Sequence, residues 1–327
     1  MSSGLEYSAR RYLESMRRLL PLFLLVALPA GAARGQQLAG PLSVFNAGSL
    51  AYPMRELLAA FTERHPAVRP TQESSGSLEA ARKLTELGKI PDVLAVADYS
   101  VIAKLLVPAH TSWYAGFAAN AMVLAYSDRS TGAREISRDN WWQFLLRPDV
   151  RWGVSDPSLD PNGYRARMVF QLAESYYREP GLARRLEAAL QSRYMRPSEA
   201  QLLGLVQAGE LDYAWSYRSL AATAGLRSVR LPPDIDLSDP ARAERYAHAT
   251  IRLPGPKLGA ADSIEFRGEP ILYALTIPEA AAHPVAAREF VRFVFSAEGQ
   301  AILRKAGFTL LPRPQVSGTP PFELTPR

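Results

Sequence analysis

Residues 42–50 read LSVFNAGSL, in which an apolar run is followed by a Gly-Ser turn and the start of an amphipathic segment. The apolar run predicts a β-strand, and residues 46–49 predict the turn that ends it. Apolar side chains then recur with helical spacing over residues 50–61, until Pro66 stops the pattern. The stretch therefore predicts a strand, a Gly-Ser turn and a helix in direct succession.

The same unit recurs further along the chain. A strand over residues 68–72, a polar turn over 73–77 and a helix over 78–87 are followed by the apolar run 92–97 and a short helix over 101–106. The run 92–97 does not alternate, which is typical of a strand buried on both faces of a parallel sheet. Alternating strands and helices of this kind predict an α/β fold with a doubly wound sheet.

The alternation is interrupted once. Extended segments over residues 113–117 and 121–126 follow each other with no helix between them, and we expect a boundary between two lobes there. A second α/β run leads to a strand over 211–215, and a further strand over 271–277 precedes two helices. The tail from Thr309 to Arg327 holds five prolines and is expected to be mostly irregular.

The first 33 residues have the composition of a signal peptide. Arg17-Arg18 precede an apolar run over 19–28, which is too short to span a bilayer, and small residues follow at 30–33. Residues 1–35 hold five arginines and two glutamates, so half of the formal charge of +6 lies there. We expect export and a soluble periplasmic or extracellular protein. The remaining charge is too small to indicate a nucleic-acid partner.

Several chemistries are excluded by composition. The chain has no cysteine, which removes disulfides, thiolate nucleophiles and zinc-thiolate sites. Its four histidines are far apart and form no metal-binding pair. No GxSxG, P-loop or GxGxxG motif is present, so we expect a binding protein, not an enzyme, and no cofactor.

Two turns are candidates for an anion site. Ser49 and Ser77 each follow a strand and begin a helix, where free backbone N–H groups and the positive end of the helix dipole attract anions. Successive turns of this kind lie side by side at the carboxyl edge of a sheet, where such folds bind ligands. Alternatively, each serine is a plain N-cap.

Two further stretches carry polar residues after a strand. In residues 155–165, Asp156 and Asp160 each precede a proline; Asp160 alternatively caps a helix and Asp156 alternatively closes an Asx turn. The strand over 211–215 delivers Ser216 and Tyr217 to what we expect to be a cleft wall. An exported enzyme that works through Asp156 or Asp160 is the least supported alternative, because no acid or nucleophile partner is evident nearby.

Together these motifs resemble the tungstate/molybdate-binding proteins of ABC transporters, in the branch best known from archaea. The resemblance runs from about residue 42 to about 312 and rests on six stretches in order, namely 46–50, 75–77, 91–99, 156–165, 211–221 and 296–300. It implies a type II periplasmic-binding-protein fold, with two lobes of mostly parallel sheet flanked by helices and a hinge between them. Residues 40–120 and 271–327 would form lobe one, and residues 121–270 lobe two.

The resemblance also implies a ligand site and a partner. The protein would be a monomer that binds molybdate or tungstate between the lobes and delivers it to a membrane permease. The residues carried over as ligand-binding are Gly48, Ser49, Ser75, Gly76 and Ser77 in lobe one, with Asp160, Ser216 and Tyr217 in lobe two.

One departure from the family leaves the mode of binding open. Members that hold the metal in six-fold coordination have an aspartate at the position of Asp160 and a glutamate at the position of Ser216. Serine is a poor replacement for a carboxylate, so a four-coordinate oxyanion held by hydrogen bonds is an alternative, and Asp160 is a metal ligand only if the metal is coordinated directly. A further alternative is the same scaffold with sulfate, phosphate or a small organic anion as its ligand.

Overall fold

The computed structural model describes residues 38–255 and 262–324. The predicted signal peptide, residues 1–33, lies outside them. The strands are β1 Ala39–Ala47, β2 Ala67–Ser75, β3 Val93–Val96, β4 Tyr114–Ala119, β5 Met122–Tyr126, β6 Trp152–Gly153, β7 Tyr213–Tyr217, β8 Arg227–Arg230, β9 Thr250–Pro254, β10 Ser263–Arg267, β11 Leu272–Thr276 and β12 Thr309–Ser317. The helices are α1 Ala51–Arg64, α2 Ser77–Leu87, α3 Tyr99–Leu105, α4 Trp141–Leu145, α5 Pro161–Tyr177, α6 Leu182–Ala189, α7 Glu199–Ala208, α8 Arg218–Thr223, α9 Ala243–Tyr246, α10 Pro284–Phe295 and α11 Ala297–Lys305.

Two separate sheets organise these elements. The first has the strand order β12-β4-β11-β3-β1-β2, and the second has the order β6-β7-β5-β8. β4 belongs to the first sheet and β5 to the second, so the chain passes between them at Asn120-Ala121. We refer to the first sheet with its helices as the first lobe, and to the second sheet, its helices and the β9–β10 pair as the second lobe.

Strand direction is mixed in both sheets. The predicted parallel arrangement holds for β1 with β2 and β3 and for β6 with β7. The other pairs of the two sheets are antiparallel, so both sheets are mixed and the expectation of mostly parallel sheets is wrong in this detail. The four residues of β3 are fully buried, as their unbroken apolar run predicts.

The register of the first sheet positions the turns that carry candidate site residues. Ala47 at the end of β1 lies opposite Ser75 at the end of β2, and Asn46 lies opposite Ala95 of β3. The carboxyl ends of these three parallel strands therefore meet at one edge of the sheet. The turns at Gly48 and Gly76 and the residues after β3 are neighbours for this reason.

Two predictions of secondary structure are wrong. β2 continues through the predicted polar turn to Ser75, because pairing with β1 over its full length outweighs the local preference of these residues for a turn. The tail is not mostly irregular, since β12 pairs with β4 over part of its length. Pro312 and Pro314 fall in the register shift between Leu310 and Gln315, where a missing N–H costs no ladder hydrogen bond.

Within the described ranges, no helix is both long and apolar enough to cross a membrane.

Candidate functional site

The turn after β1 lies at the junction of the two lobes. Gly48–Leu50 form a single 3₁₀ turn, and the buried Ser49 hydroxyl shares a 2.8 Å hydrogen bond with the Tyr273 hydroxyl of β11. Ser49 is therefore not the plain N-cap of the alternative interpretation. A Cβ built on Gly48 would lie 3.8 Å from the Cβ of Ser198, at the start of α7, so this turn lies against the second lobe.

The turn after β2 also contacts the second lobe. Ser77 is the first residue of α2, and its Oγ accepts a 3.0 Å hydrogen bond from the Ala97 amide, which leaves the hydroxyl proton free to be donated. Ser75 Oγ accepts a hydrogen bond from Lys83 Nζ at 3.2 Å. A Cβ on Gly76 would lie 2.2 Å from the carbonyl oxygen of Leu159, so only glycine permits this approach.

The first amides of α2 do not all face free space. The amides of Leu78 and Glu79 both donate to the carbonyl oxygen of Leu159, at 3.0 and 3.2 Å. Arg82, one turn further along α2, donates to the carbonyl oxygens of Ser158 and Pro254. The predicted anion position at this helix end is thus partly taken by a backbone carbonyl of the second lobe.

Asp160 holds two helices of the second lobe together. It is the N-cap of α5, where Oδ1 accepts from the Asn162 amide at 3.1 Å. Its Oδ2 accepts from the amide of Glu199, the first residue of α7, at 2.8 Å. The capping interpretation of Asp160 is confirmed. The Asx-turn interpretation of Asp156 is also confirmed, because its Oδ1 accepts from the Ser158 amide at 2.8 Å.

Glu199 is the site residue that sequence reasoning missed. Its Oε1 accepts hydrogen bonds from Ser216 Oγ at 2.8 Å and from the Tyr217 amide at 2.6 Å. The side chain is buried beside Asp160, so two carboxyl groups share one interior position. No local pattern predicts this contact, because an acidic residue in the first turn of a helix is ordinary and needs no ligand to explain it.

The pKa values of both carboxyl groups are shifted upward. Burial raises the pKa of Asp160 to about 6, although the amides of Glu199 and Asn162 and the positive charge of Arg165 oppose the shift. Burial, followed by the neighbouring charge of Asp160, raises the pKa of Glu199 well above its ordinary value. The hydrogen bonds from Tyr217 and Ser216 oppose that shift only in part. Ionising both Asp160 and Glu199 is therefore energetically unfavourable.

A buried cation lies next to this pair. Arg165 of α5 forms an ion pair with Asp98 of the first lobe, Nη2 to Oδ2 at 2.9 Å, and its Nη1 donates to the Ala97 carbonyl at 2.8 Å and to Tyr217 Oη at 3.0 Å. Tyr164 Oη also donates to Asp98. Burial lowers the pKa of Arg165, but the charge of Asp98 and the two tyrosines outweigh it and raise that pKa overall.

The eight predicted ligand-binding residues lie in one continuous network. The rings of Tyr217 and Tyr273 meet edge to face with centroids 5.7 Å apart, which connects Ser216 and Tyr217 to Ser49. A Cβ on Gly76 would lie 3.2 Å from the Asp160 Cα, and a Cβ on Gly48 would lie 3.9 Å from the Ser75 carbonyl oxygen. The first lobe thus contributes mainly hydroxyl groups and small residues, and the second contributes the two carboxyl groups.

Comparisons with known proteins agree with this architecture. The family model described as bacterial extracellular solute-binding protein matches residues 42–309. A solute-binding protein of Petrotoga mobilis is 41% identical over 272 residues, which covers 83% of this chain and 84% of that protein. A protein of Pyrococcus abyssi named molybdate/tungstate-binding protein is 34% identical over 327 residues, covering 92% and 93%.

Solved structures show the same fold. The periplasmic molybdate-binding protein of Azotobacter vinelandii superposes with a TM-score of 0.57 at 17% identity, covering 83% of this chain and 100% of that chain. A sulfate-binding protein of Mycobacterium tuberculosis superposes with a TM-score of 0.58 at 15% identity, covering 83% and 87%. At such identities the likeness is one of fold alone, the type II periplasmic-binding-protein fold. The chain belongs to the family of bacterial extracellular solute-binding proteins.

Proposed function

We propose that this protein captures molybdate or tungstate between its two lobes and delivers the anion to an ABC transporter permease. The observation that carries the proposal is the convergence of the Gly48–Ser49 and Gly76–Ser77 turns on Asp160 and Glu199 at the lobe junction. The relatives from Pyrococcus abyssi and Thermococcus kodakarensis that are named for molybdate/tungstate binding support the identity of the ligand. They do not favour sulfate, phosphate or a small organic anion.

Each lobe has a distinct part in this proposal. Ser49 and Ser77 donate hydrogen bonds to the oxygen atoms of the anion from the first lobe, since a hydroxyl donor holds an oxyanion without a lysine or arginine. Gly48 in the turn after β1, and Ser75 and Gly76 in the turn after β2, let the second lobe approach closely. Asp160, Ser216 and Tyr217 face the anion from the second lobe, and Tyr217 is oriented by Arg165.

The remaining parts of the proposal concern the whole protein. The family is one of extracellular solute-binding proteins, and we propose that residues 1–33 direct export and are then removed. Lobe one spans residues 40–120 and 271–327, lobe two spans residues 121–270, and the protein acts as a monomer without nucleic acid. Sequencing the N-terminus of the exported protein tests the signal peptide, and a first residue upstream of Ala32 contradicts it.

Calorimetric titration of the purified, anion-free protein with molybdate, tungstate, sulfate and phosphate tests the ligand. We expect tight binding of the first two anions alone. Tight binding of sulfate or phosphate, or no binding of molybdate and tungstate, contradicts the proposal. Solute-binding families transport their ligands and are not a class of enzymes. We therefore expect Asp160→Asn to change the affinity for the anion and not to remove a catalytic activity.

A further inference from the structure

Arg82 is a buried cation of the first lobe that donates to main-chain groups of the second lobe. Its Nη1 donates to the carbonyl oxygen of Ser158. Its Nη2 donates to the carbonyl oxygens of Pro254 and Gly255, at 3.1 and 3.4 Å. Only 6% of the side chain is exposed. Both terminal nitrogens are bound across the lobe junction, so Arg82 joins the two lobes and does not serve as a donor to the anion.

The contacts of Arg82 exist only while the lobes are together. Burial lowers the pKa of Arg82, and the charges of Glu86 on the same helix and of Asp156 in the second lobe oppose this shift. Charge-assisted hydrogen bonds to the three carbonyl oxygens compensate the buried guanidinium for the loss of water. Separation of the lobes would remove these acceptors and expose the side chain to solvent. Arg82 therefore stabilises the closed arrangement through groups that belong to the protein.

The pair of strands β9 and β10 provides most of these acceptors. The two strands form an antiparallel sheet of their own, and a two-stranded sheet is marginally stable by itself. The pair is attached to α5 of the second lobe, where the rings of Phe266 and Tyr164 have centroids 5.2 Å apart. The Gln171 side chain also exchanges hydrogen bonds of 2.9 and 3.0 Å with the backbone of Thr250. The second lobe therefore carries the β9–β10 pair.

Two helices of the first lobe contact the same pair of strands. Arg82 of α2 binds the end of β9 at Pro254. Lys104 Nζ of α3 lies 5.5 Å from the centre of the Phe266 ring in β10, where the face of an aromatic ring attracts a cation. Ile251 is the partner of Phe266 in β9, so the two contacts are three residues apart along the strand. The β9–β10 pair is thus held by both lobes.

These contacts are separate from the predicted anion site, because none of the groups that Arg82 and Lys104 contact belongs to the eight predicted ligand-binding residues. Contacts that are made only in the closed arrangement lower its free energy relative to an open one, with or without a ligand. We infer that Arg82, Lys104 and the β9–β10 pair form an interlobe latch. The interlobe latch closes the protein in the absence of a ligand and, on the basis of the proposed function, slows the release of the bound anion.

A distance measurement in the anion-free protein tests the interlobe latch without any ligand. The chain has no cysteine, so Ala59→Cys in α1 and Ala188→Cys in α6, both at exposed positions, place one spin label on each lobe. Pulsed electron paramagnetic resonance then gives the distribution of distances between the labels. We expect a short distance of the closed form beside a longer one, and we expect Arg82→Gln to lower the ratio of closed to open protein at least tenfold.

The matched control is Arg64→Ala, which breaks an exposed ion pair with Glu298 inside the first lobe and should leave the distances unchanged. Arg82→Lys should give an intermediate ratio, because a single ammonium group replaces the fork of the guanidinium. A single long distance in the labelled protein with Arg82 intact, or the same distribution in Arg82→Gln, overturns the interlobe latch.

The effect on the anion is measured as the release of radiolabelled tungstate into an excess of unlabelled tungstate. We expect release to be at least tenfold faster in Arg82→Gln and unchanged in Arg64→Ala. Equal release rates, together with a shifted distance distribution, overturn the effect on retention and leave the closing role in place. If the protein binds neither molybdate nor tungstate, the proposed function fails, whereas the distances in the anion-free protein still decide whether the interlobe latch exists.

A second variant keeps the test decisive if Arg82→Gln folds poorly, as judged by circular dichroism. Lys104 is exposed, so Lys104→Met removes the cation beside Phe266 without disturbing the core. We expect the ratio of closed to open protein to fall about two- to fivefold in this variant, as the strength of an exposed contact between a cation and a ring implies. An unchanged ratio in Lys104→Met removes α3 and the β9–β10 pair from the interlobe latch and overturns the inference.

Discussion

Asp98 and Arg165 come from different lobes and meet in a buried ion pair, with Nη2 and Oδ2 2.9 Å apart and both side chains less than a tenth exposed. Asp98 is also the N-cap of α3, where its Oδ1 accepts from the amide and hydroxyl of Ser100. Arg165 reaches across the junction to the Ala97 carbonyl as well. The pair therefore joins the end of a first-lobe strand to α5 in the second lobe, beside Asp160 and Glu199.

Removal of Arg165 is expected to be costly because it leaves Asp98 buried without its cation. We predict that Arg165→Ala lowers the free energy of unfolding by about 3 kcal/mol or more, as measured by urea denaturation. The control is Arg227→Ala, which breaks an exposed pair with Asp128 and should cost less than about 1 kcal/mol. Equal losses of unfolding free energy in the two variants would show that the buried pair contributes no more to stability than the exposed pair.

The close approach of the two lobes at Leu159 depends on the absence of a side chain at Gly76. Its backbone, with φ −62° and ψ 147°, is open to any residue, so the clash of a Cβ with Leu159 is the sole obstacle to alanine. We predict that Gly76→Ala weakens molybdate and tungstate binding at least tenfold in calorimetry. Gly204→Ala, at a helix position with open space around it, should leave affinity unchanged. Wild-type affinity in Gly76→Ala would mean that the ligand does not require this approach.

The two hydroxyl groups of the first lobe are expected to act together on the anion. Ser49→Ala and Ser77→Ala should each weaken molybdate binding at least tenfold, because a hydrogen bond to a charged group contributes roughly 1.5–3 kcal/mol. The exposed Ser112→Ala is the control. Thermal unfolding of each variant separates lost binding from lost stability, since Ser77 also accepts from the Ala97 amide. Unchanged affinity in both variants would remove these serines from the site.

The stability of the anion-free protein is expected to depend on pH through the carboxyl pair. Asp160 has a pKa of about 6 in the folded protein against 3.8 ordinarily, so the folded state binds more protons between these values. The free energy of unfolding should therefore fall by about 2 kcal/mol as pH rises from 4 to 6, and Glu199 contributes with the same sign.

The reference for this measurement is the double variant Asp160→Asn with Glu199→Gln, which titrates at neither position. Denaturation of both proteins across this pH range isolates the pair, because all other titrating groups are common to them. A pH dependence that is identical in the two proteins would show that the carboxyl groups titrate as they do in the unfolded chain.

Local sequence determined the elements that carry the site. The apolar periods around residues 42–61 and 68–87 predicted both strand–turn–helix units, because periods of 2 and 3.6 residues reflect which faces of a strand or helix are buried. The parallel pairing of β1 with β2 places Ser49 and Ser77 at one edge of the sheet, because the carboxyl ends of parallel strands lie at the same edge. The helix cap at Asp160 and the turn at Asp156 could be predicted from the two Asp-Pro pairs alone.

Tertiary structure alone decided which groups face each other across the junction. Leu159 at the start of α2, Arg165 beside Asp98 and Glu199 beside Ser216 are contacts between residues 17 or more positions apart. Local sequence preferences do not predict these contacts. A polar side chain near the start of a helix can face solvent, cap the helix or contact a neighbouring strand. The second carboxylate of the site is therefore determined by how α7 packs against β7, which depends on the folding of the whole second lobe.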